Sequence, residues 1–259
     1  MILSCLLVCA GPFFFDPKNS PATSPEKADG QKAAEEKAAV PHPSEGGAVQ
    51  KDLRASQKLP VYKPPLRGSP EGRVGGGTRA LPIKREVSLH ALAPDHVGLT
   101  VQEQPNLYWF ISALTPSRIE FTLIEAHSTV PLIEERLKNP KQPGIQCIRL
   151  SDHSIRLWEN KRYKWFITLV ADPDHRYRNV FAGGFIERIP VPGNLAGTLQ
   201  RAGKREEHYV YGEQGIWYDA LSAVSELIAG SPGDGTLRRE RASLLQQVGL
   251  EEVDAYDIK

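Results

Sequence analysis

"RYKWFITLV", residues 162–170, decides the fold class. Tyr163, Trp165, Ile167 and Leu169 share one face at a spacing of two, the period of a strand whose side chains alternate across a sheet. Working outward, "RIEFTLIEA" (118–126) repeats the pattern: Ile119, Phe121 and Leu123 face one way, Glu120 and Thr122 the other. Similar runs are "VGLTVQE" (97–103), "LYWFISA" (107–113), "TVPLIEE" (129–135), "GIQCIRL" (144–150) and "NVFAGGFIERI" (179–189). Turn residues separate them, as in "QPN", "TPS", "KQPG" and "DPDH". About seven short strands with no helix between them predict an immunoglobulin-like antiparallel β-sandwich over residues 72–190. Leu157, Tyr163 and Trp165 fit the entry into a late sandwich strand carrying a tyrosine corner. A paired-cysteine bridge is missing, so the match is to sandwiches in general.

From residue 191 the period changes to 3.6. Asn194 stands at the start of a helix carrying Leu195, Leu199 and Ala202. Ile216, Trp217, Ala220, Leu221, Val224, Leu227 and Ile228 form the stripe of a second helix. A third spans about 236–248 and ends at Gly249. "YGEQGIWYDALSAVSELIAGSP" resembles one tetratricopeptide repeat, with Gly215 before the turn, Ala220 where helices meet and Pro232 beyond. Solenoids need about three repeats to stand alone, so residues 191–259 are expected to pack on the sandwich. The expected class is mainly β with C-terminal α.

The N-terminal part differs in kind. "MILSCLLVCAGPFFFDP" is apolar through Phe15, too short to span a bilayer, which takes about 20 residues. It fits a signal-peptide core, with small residues Val8 and Ala10 before a cleavage point, although no Lys or Arg precedes it. "ILSC" (2–5) also fits a lipoprotein box. Residues 1–15 are therefore expected to direct export, with a lipid anchor as a variant. Residues 16–71 hold nine prolines and one aromatic, Tyr62, and are expected to form a disordered linker.

Charge and cysteine content exclude more than they suggest. Formal net charge is +1, so no general field draws the chain to nucleic acid. Membrane contact is left to the N-terminal anchor. Of three cysteines, only Cys147 lies in the folded part, in a strand-like run, and is expected to be a buried structural thiol. Asp172, Asp174 and His175 cluster in "ADPDHRYRN", which a polar turn explains as well as a metal does. No carboxylate pair, nucleophile elbow or Ser/His/Asp order stands out, and no cofactor is expected.

"GRVGGGTR" (72–79) has the glycines of a phosphate loop but not its order. A P-loop needs Lys before Ser or Thr, between a strand and a helix; here Thr78 precedes Arg79, and Pro-rich sequence lies on both sides. Gly75, Gly76 and Gly77 are expected to allow positive φ and close backbone approach, with Arg73 and Arg79 pairing to surface carboxylates. "RGSPEGRVGGGTR", "VGLTVQEQPNLYWFI" and "YGEQGIWYDAL" resemble the bacterial family catalogued as domain of unknown function 928, over about residues 66–250. The resemblance implies an exported bacterial protein and carries over no reaction, ligand or catalytic residue.

The expected function is an exported, non-enzymatic interaction or structural module of the bacterial envelope, with another envelope protein as partner. A sugar-binding sandwich using an exposed set among Tyr108, Trp109 and Phe110 is the alternative, and an enzyme of another type the third. Trp217 and Tyr218 are adjacent, about 100° apart on a helix, so one is expected to point outward as a binding anchor, with the glycine loop as the other candidate site.

Overall fold

The strand period of 162–170 becomes a central strand in the computed structural model, which describes residues 58–65, 72–75, 87–172, 174–175 and 178–257. All of them belong to the unit spanning residues 54–259. The strands are β1 (Val74–Gly75), β2 (Leu89–Ala91), β3 (Gly98–Thr100), β4 (Asn106–Ile111), β5 (Arg118–Glu125), β6 (Pro131–Leu137), β7 (Gly144–Arg149), β8 (Arg162–Val170) and β9 (Val180–Arg188). The helices are α1 (Leu195–Ala202), α2 (Glu207–Glu213), α3 (Trp217–Gly230), α4 (Gly235–Gln246) and α5 (Glu251–Asp257).

Two sheets form. The larger runs β1-β9-β8-β5-β6, with β3 also on β9; the smaller runs β2-β4-β7. Pairing is antiparallel except that β3 runs parallel to β9, which corrects the expectation of wholly antiparallel strands. The mainly antiparallel sheets and C-terminal helices follow the two periods in the sequence. All seven predicted runs contain strands, and the two short ones, β1 and β2, gave no alternation to detect. α2 and α5, seven residues each, are likewise too short for a stripe.

Registry explains the burial. In β8, Tyr163, Trp165, Ile167 and Leu169 are buried, and Trp165 lies opposite Leu123 on one side and Gly184 on the other. A Cβ on Gly184 would stand 2.4 Å from the Ala93 Cβ. Glycine is thus required for close approach, and the space it leaves admits the phenol of Tyr218, which accepts a hydrogen bond from Trp165 Nε1 at 2.9 Å. Trp158 N donates to Tyr163 Oη at 3.0 Å, tying the strand start to the chain five residues upstream.

Buried residues of both sheets and the helices join one core. α3 is its hub, packed against α2 and α4 as well as β3 and β4. Asp234 caps α4 by accepting from the Thr236 and Leu237 amides at 2.8 and 3.3 Å.

Lys58–Pro65 correct the linker expectation. Tyr62 is buried, its ring edge-on to Trp217 at 5.0 Å and its hydroxyl 2.8 Å from His96 Nε2. Gln247 holds the backbone on both sides, accepting from the Tyr62 amide at 2.8 Å and donating to the Pro60 carbonyl at 2.9 Å. The Lys63 amide donates to the Gly212 carbonyl at 3.0 Å. One aromatic side chain and four backbone bonds, with Tyr209 donating to Lys58 O at 2.7 Å, turn this part of a Pro-rich stretch into a strap across the helices. The rest of the predicted linker and the N-terminal segment lie outside the described residues.

Candidate functional site

Two concavities meet at α3, with Glu226 on the wall of both. The first is a cleft of about 270 Å³ where α2 and α3 face the chain between β3 and β4. Its lining is mostly polar and includes Gln102, Asn106, Lys204, Glu207, Tyr211, Asp219 and Glu226. Asp219 sits in the first turn of α3 and is only 4% exposed. Its Oδ2 accepts from the Val101 amide at 3.4 Å. Burial pushes this carboxyl up to about 6, against the opposing pull of Thr100, Gln102 and the Val101 amide. Asn106 Nδ2 donates to Ser222 Oγ at 2.8 Å and to Glu226 Oε1 at 3.1 Å, and Lys204 pairs with Glu207 at 3.1 Å.

The second is a groove of about 480 Å³ between β4 and β7 on one side and α3, α4 and Tyr256 on the other. Phe110, Ile145, Ile228 and Tyr256 give it apolar walls, and among the described residues Arg149, Arg238, Arg241 and Glu226 are its charged lining. Arg238 donates to the Pro232 carbonyl at 2.9 Å and Arg241 to Ser225 Oγ at 3.2 Å. Tyr256 is half-exposed and meets Phe110 edge-on at 5.0 Å. Cys147 lies here, and burial pushes its thiol up to about 11, so it stays protonated at neutral pH.

A third cluster holds the helices together. Glu240 is buried and takes both guanidinium arms of Arg205 at 2.8 and 3.0 Å, and the Tyr209 hydroxyl at 3.0 Å. His208 Nε2 lies 3.1 Å from the same carboxylate in a fully buried position, and desolvation lowers its pKa.

Residues 74–258 match the family described as Domain of Unknown Function (DUF928). The chain belongs to the DUF928 family. Curated proteins give no match. Among solved structures, a multi-domain immunophilin from Arabidopsis thaliana aligns at 9% identity over 70% of this chain and 95% of the other. Its TM-score of 0.16 lies far below that of a shared fold, and nothing is carried over from it.

In this DUF928 protein the residues singled out by sequence fall in separate places. Arg73 reaches the end of α4, donating to the carbonyls of Val248 at 3.2 Å and Gly249 at 3.1 Å; it serves helix-end carbonyls, which suit a cation, rather than the carboxylate expected for it. Gly75 has φ 72°, and a Cβ there would stand 2.1 Å from the Phe181 carbonyl oxygen, so both positive φ and close approach apply. Gly76, Gly77 and Arg79 lie outside the described residues.

Trp217 and Tyr218 are both buried, which corrects the expected outward anchor. Trp217 Nε1 donates to the Leu92 carbonyl and Tyr218 Oη to the Phe185 carbonyl, each at 2.9 Å. A helix covered on several sides buries an arc wider than 100°. Tyr108, Trp109 and Phe110 are buried too, because β4 is covered on both faces. Among the described residues the most exposed aromatic is Trp158, at 74%, outside every alternating run. Asp172 holds its own turn, accepting from the Asp174 amide at 3.0 Å and meeting His175 Nδ1 at 2.7 Å. No helix among the described residues is long and apolar enough to cross a membrane.

Sequence reasoning missed Asp219 and Glu226 because each stands alone among apolar or small residues in "YDALSAVSELIAG". A charge on the buried side of an amphipathic stripe was the signal available, since such residues are rarely buried without a reason.

Proposed function

We propose that this protein is an exported, non-enzymatic interaction module of the bacterial envelope, and that the groove beside Tyr256 takes an acidic, amphipathic segment of another envelope protein. The observation that carries this reading is the groove's lining: Arg149, Arg238 and Arg241 stand beside the apolar walls of Phe110, Ile145 and Ile228. An extended partner segment would lay apolar side chains against Phe110, Ile145 and Ile228 and carboxylates against the arginines, whose forked donors suit them. The apolar leader expected over residues 1–15 supports export.

The two sheets are proposed to form an immunoglobulin-like sandwich, supported by their shared core and by the Tyr163–Trp158 bond. The α2–α3 pair is proposed to be one tetratricopeptide-like unit, supported by Gly215 at the turn between them and by Ala220 fully buried at the helix junction.

The test is fluorescence polarisation with labelled synthetic peptides of alternating Leu and Glu, and of alternating Leu and Lys. Saturable binding of the acidic peptide, weakened tenfold or more by Arg149→Glu and by Ile145→Asp, supports the proposal. Equal binding of both peptides, or an acidic peptide indifferent to both substitutions, overturns it. Export is checked by fractionating cells that express the gene with its native upstream sequence; intact Met1 on a cytosolic product counts against it.

A further inference from the structure

β6 is the outer strand of the larger sheet and pairs with β5 alone among the described residues. Its other edge presents a row of backbone N–H and C=O groups that meet no strand of that set. Such an edge is a template for pairing with another chain unless it is blunted. Leu132, Glu134 and Arg136 are exposed on one face of β6, while Ile133, Glu135 and Leu137 are partly buried on the other. Ile133 and Leu137 pack against the core, and Glu135 lies 3.0 Å from His153 Nδ1. Val130, just before the strand, is 71% exposed, and Leu132 52%.

The exposed charges of this edge are of both signs. An edge blunted by lysines alone repels a second copy of itself; Glu134 and Arg136, two residues apart on one face, do not. Neither has an ion-pair partner among the described residues, although Arg118 and Glu120 pair on the same face of the neighbouring strand. Antiparallel pairing about a twofold axis normal to a sheet sets each residue opposite one of the same face, so the axis passes through a single residue position. Centred on Glu135, the register sets Glu134 opposite Arg136 of the second copy, twice, and Ile133 opposite its Leu137, twice. Glu135 against its own copy is the opposing term. Centred on Glu134 or Arg136 instead, the register sets that residue against its own copy and Glu135 against an apolar residue. Pro131 lacks an N–H and marks where such pairing stops.

We propose that two copies of this chain join through β6, antiparallel and centred on Glu135, so that their larger sheets run on as one. Backbone hydrogen bonds supply the attraction. The two Glu134–Arg136 pairs on one face and the two Ile133–Leu137 pairs on the other select the register. A strand edge this short buries less than the ~1,200 Å² of a stable interface, so the dimer forms in the micromolar range. The contact is separate from the groove beside Tyr256, which shares no lining residue with β6, and does not depend on it.

The test is sedimentation velocity of the full chain at low salt, over a series from low micromolar to near-millimolar protein. A monomer–dimer equilibrium is expected, weakened by added salt because exposed ion pairs are screened. Glu134→Arg and Arg136→Glu, both at exposed positions, are each expected to weaken the dimer tenfold or more by setting like charges opposite one another. The double reversal, Glu134→Arg with Arg136→Glu, restores opposite pairing and is expected to return dimerisation close to that of the parent. A variant that is merely unstable does not recover in this way. A chain that stays monomeric throughout, self-association indifferent to both single reversals, or a double reversal no stronger than the single ones overturns the proposal.

Discussion

Trp165 of β8 donates its indole N–H to the hydroxyl of Tyr218 of α3 across 2.9 Å, and that hydroxyl donates on to the Phe185 carbonyl at 2.9 Å. Both side chains are buried. A two-bond chain of this kind links the central strands to the hub helix. Removing its middle leaves a donor and an acceptor unmet, which costs more than the bonds themselves return. Tyr218→Phe is expected to lower unfolding free energy by about 1–3 kcal/mol, and Trp217→Ala by about 3–5 kcal/mol. Urea denaturation followed by tryptophan fluorescence measures both. A Tyr218→Phe protein as stable as its parent would show the chain to be incidental.

The strap predicts an asymmetry between neighbours. Tyr62 is buried while Leu59 and Val61 are exposed. Tyr62→Ala is expected to cost about 3 kcal/mol, by analogy with other large-to-small core changes. Val61→Ala is expected to fall within about 0.5 kcal/mol of the parent. Limited trypsin digestion adds a second reading: cleavage between Lys58 and Leu59 should be slow, because the Lys58 carbonyl is held by the Tyr209 hydroxyl. Equal melting temperatures for the two variants would detach the strap from the fold.

Asp219 fixes the sign of a pH effect. Burial holds its carboxyl at about 6 in the folded chain, against about 3.9 for a free aspartate. Between these values the folded state holds the proton that the unfolded state has released, so stability declines as pH rises from about 4 to 6 and stays lower above. Asp219→Asn removes this decline. The variant is expected to be more stable than the parent at pH 7.5, on the order of 1–3 kcal/mol, with the difference closing toward pH 4. His208, whose pKa is lowered, acts with the opposite sign and is common to both proteins, so it cancels in the difference. A difference that grows toward acid would contradict the assignment.

The glycine loop yields a backbone test. Gly75→Ala combines a positive φ with a clash against the Phe181 carbonyl, and is expected to destabilise by about 1–3 kcal/mol. Arg73→Ala leaves the Val248 and Gly249 carbonyls to water at an exposed edge and is expected to cost about 1 kcal/mol. Calorimetry with ATP is expected to show no binding heat. Micromolar ATP affinity would restore a phosphate-loop role for this stretch.

Much of the fold was legible in the sequence because periodicity reports which face of an element is apolar. The alternation in 162–170 and 118–126 placed β8 and β5 with the correct inward sets, and the 3.6-residue stripe from Ile216 to Ile228 placed α3. Gly75 was legible too, since a run of glycines signals a backbone that side chains cannot follow. Periodicity does not say what lies against a face. Trp217 and Tyr218 are both interior because α3 is covered by helices on one side and strands on the other, and their hydrogen-bond partners lie 125 and 33 positions away. Tyr62 sits in sequence that reads as linker, and only Gln247 and Trp217, far along the chain, turn it into a strap. Asp219 reads as one polar residue in a helix. Its raised pKa arises from burial against the Val101 segment, a desolvation that no local pattern encodes.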